Sequence, residues 1–229
     1  MNLSQLKTRI KVFVGNYGSG KTELAMDCTR NHTGEMTLVD LDIVNPYFRS
    51  NEKTPELNEK GVTVIAPGFA GTALDAPVLT AQVQSVFYNT KSHVVFDVGG
   101  DPTGATALGR YHANFLAEPP VVLFVINACR PFSSHVRDVL DLIDGIELRS
   151  RLKVNYLINN TNLAAQTTAQ VLMDGQTLVN QVSQASGIPI IAVTGTQQVI
   201  DQLPSQFKAQ YGPLLHAFTP VMRPDWIDR

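Results

Sequence analysis

Short apolar, β-branched runs recur along the chain at residues 12–14, 36–39, 62–65, 94–98, 121–126, 154–158 and 188–193. Most are apolar throughout and do not alternate, the pattern of parallel strands covered by helices on both faces. Helix-period segments lie between them. One opens at Asp75, has Pro77 in its first turn and sets Leu79, Val83, Val86 and Phe87 on one face. A second, capped by Ser133 or Ser134, carries Val136, Val139, Leu140 and Ile143 and is expected to stop at Gly145. A third runs from Asp174 through Leu178, Val182 and Ala185 to Gly187. Regular alternation of strands and helices predicts an α/β fold: a doubly wound, mostly parallel sheet of about seven strands, helices on both faces and right-handed crossovers. No repeat, low-complexity stretch or linker breaks the pattern, so residues 1–229 read as a single domain. The tail after Pro213, with Pro220, Pro224 and the only tryptophan, Trp226, has no clear period and is expected to pack on the domain or to engage a partner.

Composition narrows the classes. Charged residues are 17% of the 229 and hydrophobic residues 44%, against roughly 25% charged in an average soluble domain. The buried strands account for the apolar share. A net charge of −2 leaves no basic footprint, so no nucleic-acid partner is expected. The longest apolar run, beginning at Val121, is about half a membrane span, and no membrane association is expected. Lys7, Arg9 and Lys11 precede only a short apolar run with no small-residue cleavage site, which predicts a cytoplasmic protein. Cys28 and Cys129 stand far apart without a CxxC partner, as expected of free thiols in a reducing compartment.

Directly after the first strand stands GNYGSGKT, residues 15–22, which satisfies GxxxxGK(S/T) at every required position. Gly15, Gly18 and Gly20 let the backbone curl so that its N–H groups, including those of Asn16, Tyr17 and Ser19, converge on phosphate oxygens. Lys21 brings a point charge to the β- and γ-phosphates. Thr22 opens a helix over residues 22–31 whose dipole faces the phosphates, and its hydroxyl is placed to ligate Mg²⁺. HVVFDVGG sets Asp97 at the end of an apolar strand, where a carboxylate holds the metal directly or through water. Asp40 and Asp42 follow the second strand and should emerge at the same carboxyl edge of the sheet. Asp40 reads equally as a strand cap. Asp42 is the candidate for positioning the attacking water or an outer-shell magnesium contact, which makes Lys21 and Asp42 the catalytic candidates and Thr22, Asp97 and Asp42 the metal candidates.

Together these strings resemble the MinD/ParA-type P-loop ATPases, the class that also holds the nitrogenase iron protein and dethiobiotin synthetase. The resemblance rests on GNYGSGKT, on LVDLDIVNP as a switch I pattern and on FDVGG as switch II. Similar NYGSGKT, VDLDIVNPYFR and DVGGD strings occur in a group of bacterial ATP-binding proteins. The class implies ATP and Mg²⁺ as ligands, a protein partner and a homodimer. One departure bears on the dimer: the class's intersubunit lysine is replaced by Asn16, and Tyr17 stands where glycine is usual. Asn16 offers a neutral hydrogen bond and cannot neutralise charge on a γ-phosphate; Arg49, Arg110 and Arg130 are the conceivable replacements.

LINNTNL, residues 157–163, lines up with the NKxDL of guanine-specific GTPases, with Asn162 in place of the aspartate. An amide has one acceptor oxygen and loses the charge-assisted double contact to guanine, so ATP is expected over GTP. The class gives Asn159 the adenine contact, with Asn160 beside it. The iron protein's bridging cluster is not expected, since no cysteine follows Asp97 in the switch. Three functions compete. The first is a Mg²⁺-dependent ATPase whose switch segments, residues 40–51 and 97–111, drive a partner, in the manner of cofactor or metal-centre assembly. The second is a small-molecule kinase or ligase of the dethiobiotin-synthetase kind, with NPYFR and residues 67–77 forming the acceptor pocket. The third is a nucleotide-binding module that does not hydrolyse.

Overall fold

The computed structural model describes residue 3 and residues 6–42, 54–66, 81–100 and 102–221. Strand β1 (Ile10–Gly15) leads into helix α1 (Lys21–Arg30) and strand β2 (Met36–Asp40). Helix α2 (Thr54–Glu59) and strand β3 (Val62–Ile65) follow, then helical residues 81–85 and strand β4 (His93–Asp97). Helices α3 (Pro102–Gly109) and α4 (His112–Ala117) precede strand β5 (Val121–Ile126), helix α5 (Val136–Ser150) and strand β6 (Tyr156–Asn159). The chain finishes through helix α6 (Ala169–Ser186), strand β7 (Ile190–Gly195), helices α7 (Gln197–Asp201) and α8 (Ser205–Tyr211) and strand β8 (Leu215–Ala217).

The strands form one eight-stranded sheet in the order β3-β2-β4-β1-β5-β6-β7-β8, and every pairing is parallel. Alternate residues feed opposite faces. Val12, Val14, Phe96 and Phe124 pack with Ala105 and Leu108 of α3, Val139 and Ile143 of α5, and Val179 and Val182 of α6. Phe13, Val95, Leu123 and Val125 pack with Leu24, Ala25 and Cys28 of α1 and Leu57 of α2. The doubly wound α/β expectation is met, and both faces of the central strands are dry, which explains their unbroken apolar runs.

Four expectations change. The sheet has eight strands where about seven were expected. The extra one, β8, is three residues long and pairs with β7 in the register Val193↔Leu215, Thr194↔His216 and Gly195↔Ala217. The predicted stop at Gly145 is wrong: α5 runs on to Ser150 and ends at Arg151, whose φ of 60° closes it. Gly145 is a packing position instead, since a Cβ there would stand 3.1 Å from Cγ of Pro102 at the start of α3. Neither Ser133 nor Ser134 caps α5; His135 occupies the cap position. Helix α6 begins at Ala169, earlier than Asp174, because Thr168 accepts a hydrogen bond from the Val171 N–H, and it stops as expected at Gly187. The helix expected from Asp75 is seen as residues 81–85, with Val83 and Val86 buried; Asp75, Pro77 and Leu79 lie outside the described residues. No helix among the described residues is long and apolar enough to cross a membrane.

Candidate nucleotide-binding site

All strands point the same way, so the segments leaving β1, β2, β4, β5, β6, β7 and β8 emerge at one edge, where open α/β sheets bind ligands. A cavity of about 380 Å³ lies there. One end is walled by Tyr17, Gly18, Gly20, Lys21 and Thr22, and by Asp42 and Arg130. The other end is walled by Asn160, Thr161, Asn162, Thr194 and Gly195, together with Leu172, Val199, Phe218 and Pro220.

The loop of residues 15–20 has a backbone only glycine adopts comfortably. Gly20 has φ of 88°, and a Cβ there would stand 2.2 Å from Asn160 Nδ2. The Asn160 amide occupies that space in order to donate to the Ser19 carbonyl at 2.7 Å, while its Oδ1 accepts from Thr194 Oγ1 at 2.7 Å. Lys21 Nζ donates to the Asn16 carbonyl at 2.9 Å across the loop. Asn16 itself faces away from the cavity: its Nδ2 donates to the Pro131 carbonyl at 2.5 Å and to Ser133 Oγ at 2.9 Å.

The acidic residues converge as expected. Asp40 and Asp97 are register neighbours on β2 and β4 and each is 2% exposed. Asp40 Oδ1 accepts from the Asp42 N–H at 2.9 Å, which turns the chain so that Asp42 lines the cavity. Thr22 Oγ1 donates to Asp97 Oδ2 at 2.6 Å. Burial pushes the Asp97 carboxyl up to about 7; the neighbouring Asp40 and Asp42 charges add to this, while Lys21 and the Thr22 hydrogen bond oppose it.

Asp97 Oδ1 and Ser19 Oγ are buried and have no hydrogen-bond partner among the described residues. The partnerless Asp97 oxygen, the Thr22 hydroxyl beside that carboxylate and the neighbouring Asp40 and Asp42 are hard oxygen donors of the kind that suits Mg²⁺. Among the described residues no three His, Cys, Asp or Glu side chains close into a metal cage. Mg²⁺ in nucleotide sites keeps water and phosphate oxygens and takes only one or two carboxylates from protein.

Asn159 does not line the cavity. It is fully buried, its Nδ2 donates to the Leu172 carbonyl at 3.2 Å and to Gln176 Oε1 at 2.9 Å, and its Oδ1 accepts from the Thr161 N–H at 3.0 Å. The expected adenine contact is therefore corrected: this amide ties β6 to α6. Asn162 is also engaged within its own loop, donating to the Asn160 carbonyl at 2.7 Å. Of the three arginines weighed for charge at the phosphates, Arg130 reaches the loop, its Nε donating to the Gly18 carbonyl at 3.0 Å. Arg110 stands between α3 and α4 and does not line the cavity, and Arg49 lies outside the described residues, as do residues 45–49 and 67–77 of the suggested acceptor pocket.

Cys28 is buried and Cys129 exposed, both free thiols. Burial pushes the Cys28 thiol up to about 12, so it stays protonated. Sequence reasoning missed Glu23, Leu172, Val199, Phe218 and Pro220 as cavity residues. The first follows the motif directly, which was a usable signal; Phe218 and Pro220 sit in a tail whose pattern carries none.

No family model matches the chain, and no curated protein matches it in sequence. Solved structures do. Cell division protein FtsY from Thermotoga maritima aligns with a TM-score of 0.55 at 19% identity, covering 90% of this chain and 68% of that one. The signal recognition particle receptor FtsY from Elizabethkingia anophelis aligns at 0.52 and 17% identity, covering 83% of this chain and 60% of that one. The chain has a P-loop NTPase fold. It spans roughly two thirds of the length of these FtsY proteins. Identities this low establish the fold alone. Both are FtsY chains, and neither supports the narrower MinD/ParA resemblance expected from the motif strings.

Proposed function

We propose that the protein binds ATP with Mg²⁺, hydrolyses it slowly and acts as a nucleotide switch on a protein partner. The observation that carries this reading is the contact between the phosphate loop and the segment after β4. Gly100 lies so close to the loop that a Cβ there would stand 2.6 Å from Tyr17 Cα and N. A phosphate group held by the loop must therefore register at residues 97–100. Pro102, at the start of α3, packs in turn on Gly145 of α5, so α3 is the element through which we propose a displacement is passed to a partner.

In this proposal Lys21 and the loop N–H groups bind the β- and γ-phosphates, and Arg130 is the cation nearest the loop from outside the motif. Thr22, Asp97 and Asp42 would hold magnesium, which supplies neutralising charge at the phosphate oxygens when bound. Asp42, at the cavity wall, orients the water. ATP is preferred because the only acidic cavity residues among those described are Glu23 and Asp42, and the Glu23 carboxylate accepts from the Val221 N–H at 2.8 Å. The loop after β6 offers the Asn162 amide where a guanine site has an aspartate, and an amide oxygen cannot accept the paired donors of guanine as a carboxylate does. The MinD/ParA type, a homodimer and a cytoplasmic setting belong to the same proposal. Thermal stabilisation by ATP and by GTP, each with and without Mg²⁺, tests it. ATP with Mg²⁺ should shift the melting temperature most, and a Lys21→Ala protein that binds and hydrolyses ATP like the wild type would overturn it. Phosphate release that appears only with an added carboxylic or amino substrate would instead indicate the kinase or ligase reading.

A further inference from the structure

Residues 216–221, from β8 onward, are tied at two points to one face of α1 and contribute Phe218 and Pro220 to the cavity lining. His216 Nε2 and Asp27 Oδ2 are 2.7 Å apart and both residues are buried. Further on, the Val221 N–H donates to Glu23 Oε2 at 2.8 Å. Glu23 and Asp27 are four residues apart on α1 and so share a face. Between these two ties, the Phe218 N–H donates to the Gly195 carbonyl at 3.0 Å. The segment alternates: Phe218 and Pro220 line the cavity, while Ala217 and Thr219 are exposed. Two rigid apolar rings thereby line the cavity, Phe218 on the side of the β7 end and packed also on the core beneath α1, Pro220 next to the Val221–Glu23 tie. No phosphate-binding group needs them there, and neither ring offers a hydrogen bond that would select an anion.

We propose that residues 216–221 form the nucleobase platform of the site, with Phe218 as the stacking face and Pro220 beside it, and that Glu23 is the positioning residue that holds the strap over the base. This rests on the nucleotide reading above and deepens it. The chemistry is that of a π-face meeting an aromatic side chain, which is tolerant of base identity. Asn159 and Asn162 are spent on internal hydrogen bonds, so the platform supplies base affinity while discrimination stays modest. The far wall comes from Thr161 and Leu172.

Two ligands separate the ends of the cavity: ATP with Mg²⁺, and inorganic tripolyphosphate with Mg²⁺, which has the phosphates and no base. Phe218→Leu keeps apolar volume against the core and removes the aromatic face. It should weaken ATP about ten-fold or more and leave tripolyphosphate unchanged, and Phe218→Tyr should restore ATP binding. Glu23→Gln should weaken ATP less and again spare tripolyphosphate. In a Trp226→Phe background, Phe218→Trp should show indole fluorescence quenched by ATP and not by tripolyphosphate. Equal loss of both ligands in Phe218→Leu, or unchanged ATP binding, would overturn the platform while leaving the phosphate site standing. A wild-type protein that binds tripolyphosphate and ATP equally would also overturn it. Failure of the wild type to bind either would remove the nucleotide reading itself.

Discussion

At the phosphate end of the cavity, eight consecutive residues carry the geometry; at the opposite end, Thr194 and Phe218 arrive from two separate segments. The Lys21–Asn16 bond closes over five residues, whereas Asn160 reaches Ser19 across 141 and Val221 reaches Glu23 across 198. Short closures cost little entropy and recur wherever the motif is written, while long ones exist only once the sheet has formed. One end is thus a local device set on a scaffold, the other a product of the scaffold. Asn160 joins them, since a single amide supports the loop through Nδ2 and the β7 end through Oδ1.

The most disruptive test of this division is Lys21→Ala. It should lower ATP turnover roughly 10²–10³-fold, the loss typical of removing one preorganised charge donor, with little change in the fold as read by circular dichroism. Phosphate release over hours measures it. Equal activity would mean that the phosphate end is not where the motif puts it.

Asn160→Ala should damage both ends together. It leaves the Ser19 carbonyl without its donor, while the Thr194 hydroxyl keeps its bond to the Asn159 carbonyl at 3.1 Å, a cost of about 2 kcal/mol in chemical denaturation. ATP and tripolyphosphate should weaken in parallel, unlike the selective loss at Phe218. Asn159→Ala is the contrast: it should destabilise by a similar amount, because that amide is buried against Leu172 and Gln176, yet leave the affinity of the remaining folded protein intact.

Asp97→Asn separates stability from metal use. The free protein carries Asp40 and Asp97 buried side by side with Asp42 near, so removing one charge should stabilise it by about 1 kcal/mol, or roughly 2–4 °C. The additional stabilisation by Mg²⁺ with ATP should vanish. A melting temperature that falls in the absence of ligand would show that the carboxylates do not repel.

The smallest effect belongs to the amino edge of the sheet, remote from both ends, and serves as a control. His32 and His93 meet as a tilted pair with ring centroids 4.3 Å apart. Burial holds both rings below their usual 6.5; for His32 the His93 charge adds to this, and for His93 the Lys11 charge does. Neutral rings are therefore favoured in the folded state. Their contribution is complete above pH 6.5 and is lost as pH falls below it. His32→Asn should flatten a small part of the acid loss of stability between pH 7 and pH 5 without altering ATP affinity at pH 7.5.

The strand positions were legible because unbroken apolar runs admit few other placements between helices, and the seven expected strands correspond to β1–β7. Strand β8 was not, since Leu215, His216 and Ala217 show no run and only the ladder to β7 makes them a strand. Gly145 misled because a glycine signals a helix stop and a close helix contact alike, and only the approach of Pro102 tells them apart.

By itself the sequence determined the phosphate loop, its place between a strand and a helix, and the carboxylate that meets Thr22. Those features follow from backbone freedom at glycine and from strand ends that a parallel sheet gathers at one edge. The tertiary structure alone decided which asparagine of the pair 159–160 faces the cavity, which arginine reaches the loop, and that the aperiodic tail becomes a wall. An amide or a phenyl ring has no role until its neighbours are fixed, and for these residues the neighbours come from distant parts of the chain.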